Sequence, residues 1–151
     1  MRIGLISDTH GLLRPQALDW LAGSDRIVHA GDIGDAAILE RLAAIAPLSA
    51  VRGNNDSAAW ARELPETLTF EAGALRIHVL HDLKELALDP VAANVAVVVA
   101  GHSHRPKIAR RDGVLYVNPG SAGPRRFSLP IGIGELRIDG GAVEPRLIAL
   151  D

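Results

Sequence analysis

The chain has 151 residues, of which 48% are hydrophobic, and this is enough for one domain with a buried core. Its net charge of -2 excludes nonspecific binding of nucleic acid through a basic surface, and the absence of cysteine excludes disulfides, zinc fingers and thiol catalysis. We therefore expect a single domain over residues 1–151. The N-terminus does not resemble a signal peptide and no run of ~20 apolar residues occurs, so we expect a cytoplasmic protein without a membrane span.

The first third of the chain alternates strands and helices. Apolar runs predict three buried strands, at residues 2–7, 26–30 and 48–51. Helices are predicted after each of them, at residues 15–22, 36–46 and 58–64. Pro15 suits the first turn of the first helix, and Asp35 is a suitable N-cap for the second. This βαβαβ order implies parallel strands.

The remainder of the chain predicts hairpins around one central strand. The run 95–100 is apolar and mostly β-branched, as expected for a strand that is buried on both faces. Further strands are predicted at 67–71, 75–80, 114–117, 133–138 and 143–149, the first two and the last two forming antiparallel hairpins. A short helix is predicted within 83–93, interrupted by Pro90. The fold class is therefore α/β, a four-layer α-β-β-α sandwich with two mixed sheets.

Polar side chains follow the carboxyl ends of five predicted strands. They are Asp8, His10, Asp32, Asn54, His81, His102 and His104. Ligands of α/β sheets bind at this end of the strands, and so many unpaired polar groups would not be buried without a cation. One divalent ion uses about four to six ligands, so two ions sharing a carboxylate fit better. Imidazole and carboxylate ligands favour Mn, Fe, Zn or Ni over Mg or Ca.

Five short motifs in this order resemble the motif set of the calcineurin-like metallophosphoesterases, in particular their small single-domain microbial phosphodiesterases. The motifs are Asp8-Thr9-His10, Gly31-Asp32, Gly53-Asn54-Asn55-Asp56, His81 and Gly101-His102-Ser103-His104. Two further segments look like the same branch, Asn118-Pro119-Gly120-Ser121 and Pro124-Arg125. The resemblance covers essentially the whole chain.

The resemblance implies two divalent metal ions per chain, with manganese favoured. Asp8, His10, Asp32 and His104 would hold the first ion, and Asn54, His81 and His102 would join the bridging Asp32 on the second. A hydroxide between the ions would attack the phosphorus of a small-molecule or nucleotide phosphodiester, with Asp32, His102 and Asn55 as the catalytic residues. Asn55, Ser121 and Arg125 are the candidate substrate-binding residues.

Two residues depart from the pattern of the family. Asn55 occupies the position at which many larger relatives have a histidine, and an amide cannot act as a general acid at neutral pH. Asp82 follows His81 where glycine is usual. Its carboxylate would either orient His81 or repel an anionic substrate.

Several alternatives remain at the level of sequence. The chain is either an enzyme or a scaffold for protein partners, as is the retromer subunit with this fold, and a phosphomonoesterase or nuclease is a third reading. His29 and His78 are expected to be buried structural residues, and Asp56 is expected to cap a helix or hold a loop. Sheet edges and the resemblance favour a homodimer or homotetramer.

Overall fold

The computed structural model describes residues 1–151 and contains two mixed five-stranded sheets. The strands are β1 (Arg2–Ile6), β2 (Arg26–His29), β3 (Leu48–Ala50), β4 (Thr67–Ala72), β5 (Leu75–Leu80), β6 (Val97–Val99), β7 (Lys107–Arg111), β8 (Val114–Asn118), β9 (Gly132–Asp139) and β10 (Ala142–Ala149). The α-helices are α1 (Pro15–Leu21) and α2 (Ala36–Ala43), and 3₁₀ turns lie at Ala59–Glu63 and Leu83–Glu85.

The sheets have the orders β10-β9-β1-β2-β3 and β4-β5-β6-β8-β7. The strands β1, β2 and β3 are parallel, whereas β9 runs antiparallel to both β1 and β10. In the second sheet β5, β6 and β8 are parallel, and β4 and β7 are antiparallel edge strands. The parallel strands of each sheet therefore end at one rim of the domain.

Apolar side chains from the facing sides of both sheets form the main core. It contains fully buried side chains from the first sheet, such as Leu5, and from the second sheet, such as Val79 and Leu115. A second cluster, which includes Leu21 and Leu42, packs α1 and α2 onto the outer face of the first sheet. Residues 83–94 cover part of the outer face of the second sheet, and the α/β fold with two mixed sheets packed as a sandwich is confirmed.

The structure differs from the predicted elements in several places. The segment 83–93 forms only a 3₁₀ turn instead of a helix, because Pro90 cannot donate a helical hydrogen bond. The strand β7 was not predicted, since its sequence Lys-Ile-Ala-Arg-Arg is polar and exposed on a sheet edge. The helix α2 ends at Ala43, three residues earlier than expected.

Other predicted features are present. The carboxylate of Asp35 accepts a hydrogen bond from the backbone N–H of Ala37 and caps α2, as expected. Both predicted hairpins form. The helix predicted at 58–64 is instead a 3₁₀ helix at Ala59–Glu63. None of the helices combines the length and the apolar character that crossing a membrane requires.

Candidate metal centre

The predicted donors converge at one rim of the sandwich, where the parallel strands end. A first group consists of Asp8, His10 and His104, whose nearest oxygen and nitrogen atoms lie within 4.8 Å of one another. Oδ1 of Asp8 is 3.3 Å from Nε2 of His104 and 3.8 Å from Nε2 of His10. The two imidazole Nε2 atoms are 3.4 Å apart, so both rings point toward the same carboxylate oxygen.

A second group consists of Asp32, His81 and His102, again within 4.8 Å of one another. Nε2 of His81 lies 3.2 Å from Oδ2 of Asp32. Asn54 joins this group, because its Oδ1 lies 3.2 Å from Nδ1 of His102. The seven predicted donors are thus brought together in two adjacent groups.

Asp32 lies between the two groups. Its Oδ2 atom is 3.2 Å from Nε2 of His81 in the second group and 3.7 Å from Nε2 of His10 in the first. The position predicted for a bridging carboxylate is therefore occupied by a carboxylate that contacts imidazoles of both groups.

The donor set fits divalent cations. Asp8 is fully buried, and its Oδ1 atom and the Nε2 atom of His81 have no hydrogen-bond partner. A buried carboxylate oxygen and imidazole nitrogen facing each other without partners are unfavourable unless a positive charge lies between them. Imidazole, carboxylate and amide donors without thiolate are those of Mn, Fe, Zn and Ni sites.

The protonation equilibria of the group show the same need for positive charge. Burial opposes ionisation of Asp8, but His10, His104 and Ser7 hold the pKa of its carboxyl group well below its usual range. The Asp8 carboxylate raises the pKa of His10. Burial opposes the charged form of His81, yet Asp32 and Asp8 raise its pKa. The carboxylates of the centre therefore favour positive charge on these imidazoles, as they would favour a bound cation.

The backbone of the centre is unusual. Five of its residues have a left-handed backbone, with φ between 46° and 69°, and they are Asp8, His10, Asp32, His102 and His104. A non-glycine residue in this region costs about 1–2 kcal/mol. Such strain collects at functional sites, where surrounding structure enforces it. The sequence does not identify these positions, because Asp and His adopt this region more often than most other non-glycine residues but still only rarely.

Asp56 holds two of the loops that carry the donors. Its carboxylate accepts hydrogen bonds from the backbone N–H groups of Ile33, Gly34 and Gly53, at 2.9 to 3.1 Å. The loops after β2 and β3 are therefore tied to one buried anion. The expectation that Asp56 has a structural role agrees with this placement.

Two close approaches require glycine beside the donors. A Cβ atom on Gly53 would lie 2.1 Å from Oδ1 of Asp32, and one on Gly101 would lie 2.1 Å from Oγ of Ser7 and 2.7 Å from Oδ2 of Asp8. That same Oδ2 atom accepts hydrogen bonds from the Ser7 hydroxyl and the backbone N–H of His102. These contacts leave Oδ1 of Asp8 free to face the imidazoles.

The two remaining histidines lie in the framework, as expected. His29 is fully buried, its Nε2 lies 3.0 Å from the Thr9 hydroxyl, and its Nδ1 accepts from the backbone N–H of Gly31. Burial lowers its pKa to about 4, so it is neutral. His78 is bonded to the Thr69 hydroxyl across the β4–β5 pair.

The Asp82 carboxylate forms no hydrogen bond or ion pair with the imidazole of His81, so it does not orient that ring as one of the two expectations had it. His81 is oriented instead by the carbonyl oxygen of Ala30, 2.7 Å from its Nδ1. Oδ2 of Asp82 lies 3.7 Å from Nε2 of His102, on the side of that ring away from Asn54. Asp82 is thus placed to orient His102.

The three candidate substrate-binding residues are placed differently from one another. Asn55 lies at the centre, with its backbone N–H and side-chain amide directed at the Asp32 carboxylate. Ser121 is buried, and its hydroxyl donates to the carbonyl oxygen of Asp8. Arg125 pairs with Asp151 and donates to the Leu129 carbonyl, so its guanidinium is engaged away from the donors.

The neighbouring Arg126 has a small electrostatic effect on one donor of the centre, His10. The Asp8 carboxylate is the main influence on the pKa of His10, and the charge of Arg126 is a smaller one that lowers it. The sequence does not distinguish two adjacent arginines, because their roles depend on the path of the loop.

Comparison with known proteins defines the class. Residues 1–141 match the calcineurin-like phosphoesterase superfamily domain, and the chain belongs to this family. A probable metallophosphoesterase of Methanothermobacter thermautotrophicus is 32% identical over 160 residues, which cover 98% of this chain and 92% of that protein.

Solved structures show the same fold. Vps29 of Chaetomium thermophilum superposes with a TM-score of 0.81 at 22% identity, covering 99% of each chain. A structure described as a novel archaeal phosphodiesterase has a TM-score of 0.80 at 23% identity, covering 98% of this chain and all of that one. The family implies divalent metal ions, and the two groups of donors are its candidate sites here.

Proposed function

We propose that this protein is a dinuclear metal-dependent phosphodiesterase. The observation that supports this most strongly is the convergence of all seven donors, with Oδ1 of Asp8 and Nε2 of His81 buried and unpartnered. Two divalent cations bound there would lower the pKa of water to near neutrality and neutralise charge on the phosphoryl oxygens.

The residues of the centre would have two roles, to bind the metal ions and to orient the metal ligands. Asp8, His10, Asp32 and His104 would hold one ion, and Asp32, Asn54, His81 and His102 the other, with manganese as the favoured metal. Asp82 would keep the His102 ring in place by pairing with the Nε2 atom of that imidazole. Hydrolysis would add water across one P–O bond and release a phosphomonoester and an alcohol.

The preference for diesters over monoesters follows from the surroundings of the donors. Asn54 and His102 are exposed, so the site is open to a substrate with two organic groups. Asn55 provides an amide donor but no general acid, which favours leaving groups that need little protonation.

The test is hydrolysis of bis(p-nitrophenyl) phosphate and p-nitrophenyl phosphate by protein reconstituted with Mn, Fe, Ni or Zn. We expect metal-dependent hydrolysis that is faster with the diester and is abolished in Asp8→Ala and His104→Ala. Asp19→Ala, which changes a carboxylate on α1 away from the centre, is the matched control and should retain full activity. Equal rates for wild type and Asp8→Ala would reject the proposal.

The second candidate is a scaffold for protein partners, favoured by the similarity to Vps29. A scaffold has no need for seven convergent donors with a strained backbone. Metal analysis and hydrolysis together separate the two functions: about two ions per chain with metal-dependent hydrolysis support the enzyme, and a chain that hydrolyses neither ester supports the scaffold.

A further inference from the structure

A pocket of about 590 Å³ adjoins the metal centre on the outer face of the second sheet. His102 and Gly101 form its boundary with the centre, and Val98, Ala100 and Tyr116 belong to its lining. Its volume is within the range of small-molecule sites, about 300–1,000 Å³. A molecule in this pocket would therefore lie beside the donors of the second candidate ion.

Four cationic side chains line this pocket, and none of them is paired with a carboxylate. They are Lys84, Arg105, Lys107 and Arg111, and the set includes both lysines of the chain. All ion pairs between arginine and carboxylate side chains involve arginines outside the pocket, whereas no side chain of these four makes a salt bridge or a hydrogen bond. Unpaired cations converging on one concave surface indicate an anionic ligand.

Positive charge is concentrated in the pocket although the protein as a whole has a negative net charge. The chain carries a net charge of -2, yet the pocket has four cations and one carboxylate, Asp82. That carboxylate faces His102, with Oδ2 at 3.7 Å from its Nε2, and accepts from the backbone N–H of Lys84. The cations are therefore left for a ligand with more than one negative charge.

The pocket also offers an aromatic surface. Tyr116 is half-buried on β8, and the Arg111 guanidinium carbon lies 5.4 Å from the centroid of its ring. A planar heterocycle is a suitable partner for this surface, because aromatic rings and guanidinium groups both stack on such rings. Lys107, Ala109 and Arg111 alternate along β7 and face the pocket together, whereas Arg110 points to the other side of the strand.

From these contacts we propose that the pocket binds a phosphorylated nucleoside, as the part of a phosphodiester substrate that lies next to the scissile bond. The base would lie against Tyr116, and a second phosphate would contact Lys107 and Arg111. The inference rests on the proposed phosphodiesterase function for its place in the reaction, but binding to the pocket does not require the metals.

The first experiment measures binding without metal or catalysis. Titration calorimetry in EDTA compares adenosine 5′-monophosphate with adenosine and with inorganic phosphate. We expect the nucleotide to bind at least tenfold more tightly than either fragment, and Lys107→Ala/Arg111→Ala to lose that advantage. Arg110→Ala, on the same strand, is the matched control and should bind like the wild type. Equal affinities for the nucleotide and its fragments, or for the two variants, would overturn the proposal.

The second experiment separates the pocket from the chemistry. With Mn-loaded protein, Lys107→Ala/Arg111→Ala should raise KM about tenfold for a 5′-phosphorylated dinucleotide and raise it less for bis(p-nitrophenyl) phosphate, which carries no second phosphate. An unchanged KM for the dinucleotide would contradict the proposed nucleotide binding in the pocket but not the phosphodiesterase function. Absence of hydrolysis of both substrates contradicts the phosphodiesterase, and the calorimetric result then still decides the pocket.

Discussion

Oδ2 of Asp32 lies 3.2 Å from Nε2 of His81 and is the atom through which the two groups of donors meet. We expect Asp32→Ala to reduce the bound metal from about two ions per chain to fewer than one, because both sites lose a ligand. His81→Ala should remove only the second ion. Metal content is measured by plasma mass spectrometry after dialysis, with Asp35→Ala as the control. Two ions retained in Asp32→Ala would contradict a bridging role.

Asp56→Ala should destabilise the protein even without metal. The substitution leaves the backbone N–H groups of Ile33, Gly34 and Gly53 without their acceptor, and buried hydrogen bonds to a charged group are worth about 1.5–3 kcal/mol each. We expect a loss of about 3 kcal/mol or more in urea unfolding in EDTA. Asp35→Ala removes one exposed helix cap and should cost about 1 kcal/mol. Similar losses for both variants would show that Asp56 does not hold the loops.

His29 should make the metal-free protein less stable in mild acid. Burial lowers its pKa to about 4 from 6.5, so between these values the unfolded chain binds a proton that the folded chain does not. Stability therefore rises with pH across this window and is lost as pH falls through it, by about 3 kcal/mol at most. Unfolding in EDTA at several pH values measures the slope. His29→Gln should show a shallower slope, and an identical slope would exclude His29 as its source.

Asn55→His should restore a general acid at the centre. The backbone of residue 55 is already held against Asp32, with N–H to Oδ1 at 2.9 Å, so a new imidazole would start from a fixed position. General acid catalysis contributes about 10²–10⁴-fold where the leaving group needs a proton. We expect kcat/KM to rise for an alkyl phosphodiester and to change little for a p-nitrophenyl ester, with Asn55→Ala as the control. A uniform change for both esters would contradict this role.

Because the backbone at His102 is left-handed, glycine should be more stabilising than alanine at this position, the reverse of the usual order. At φ of 69°, His102→Gly should leave the metal-free protein about 1 kcal/mol more stable than His102→Ala, because glycine adopts this region without strain. At Ser103, which has no positive φ, the order should be reversed. Urea unfolding of the four variants in EDTA compares them. Alanine equal to glycine at both positions would show that the backbone at residue 102 is unstrained.

The donors of the centre were predictable because each follows an apolar run at the carboxyl end of a strand. Their exact partners were not: the contact of Asp82 with His102 rather than His81 depends on how the loop after β5 turns. The strand β7 was missed because an exposed edge strand needs no apolar alternation. This strand carries Lys107 and Arg111, so the pocket beside the centre could not be predicted from the sequence.

Four of the seven donors follow strands of the first sheet and three follow strands of the second. Any ion shared among them would also fasten the two halves of the sandwich along a single rim. Removal of the metal should then loosen that rim before the opposite one, so that hydrogen exchange in EDTA rises first around the loops after β1, β2 and β6. Metal binding and tight association of the two sheets at this rim would then be coupled.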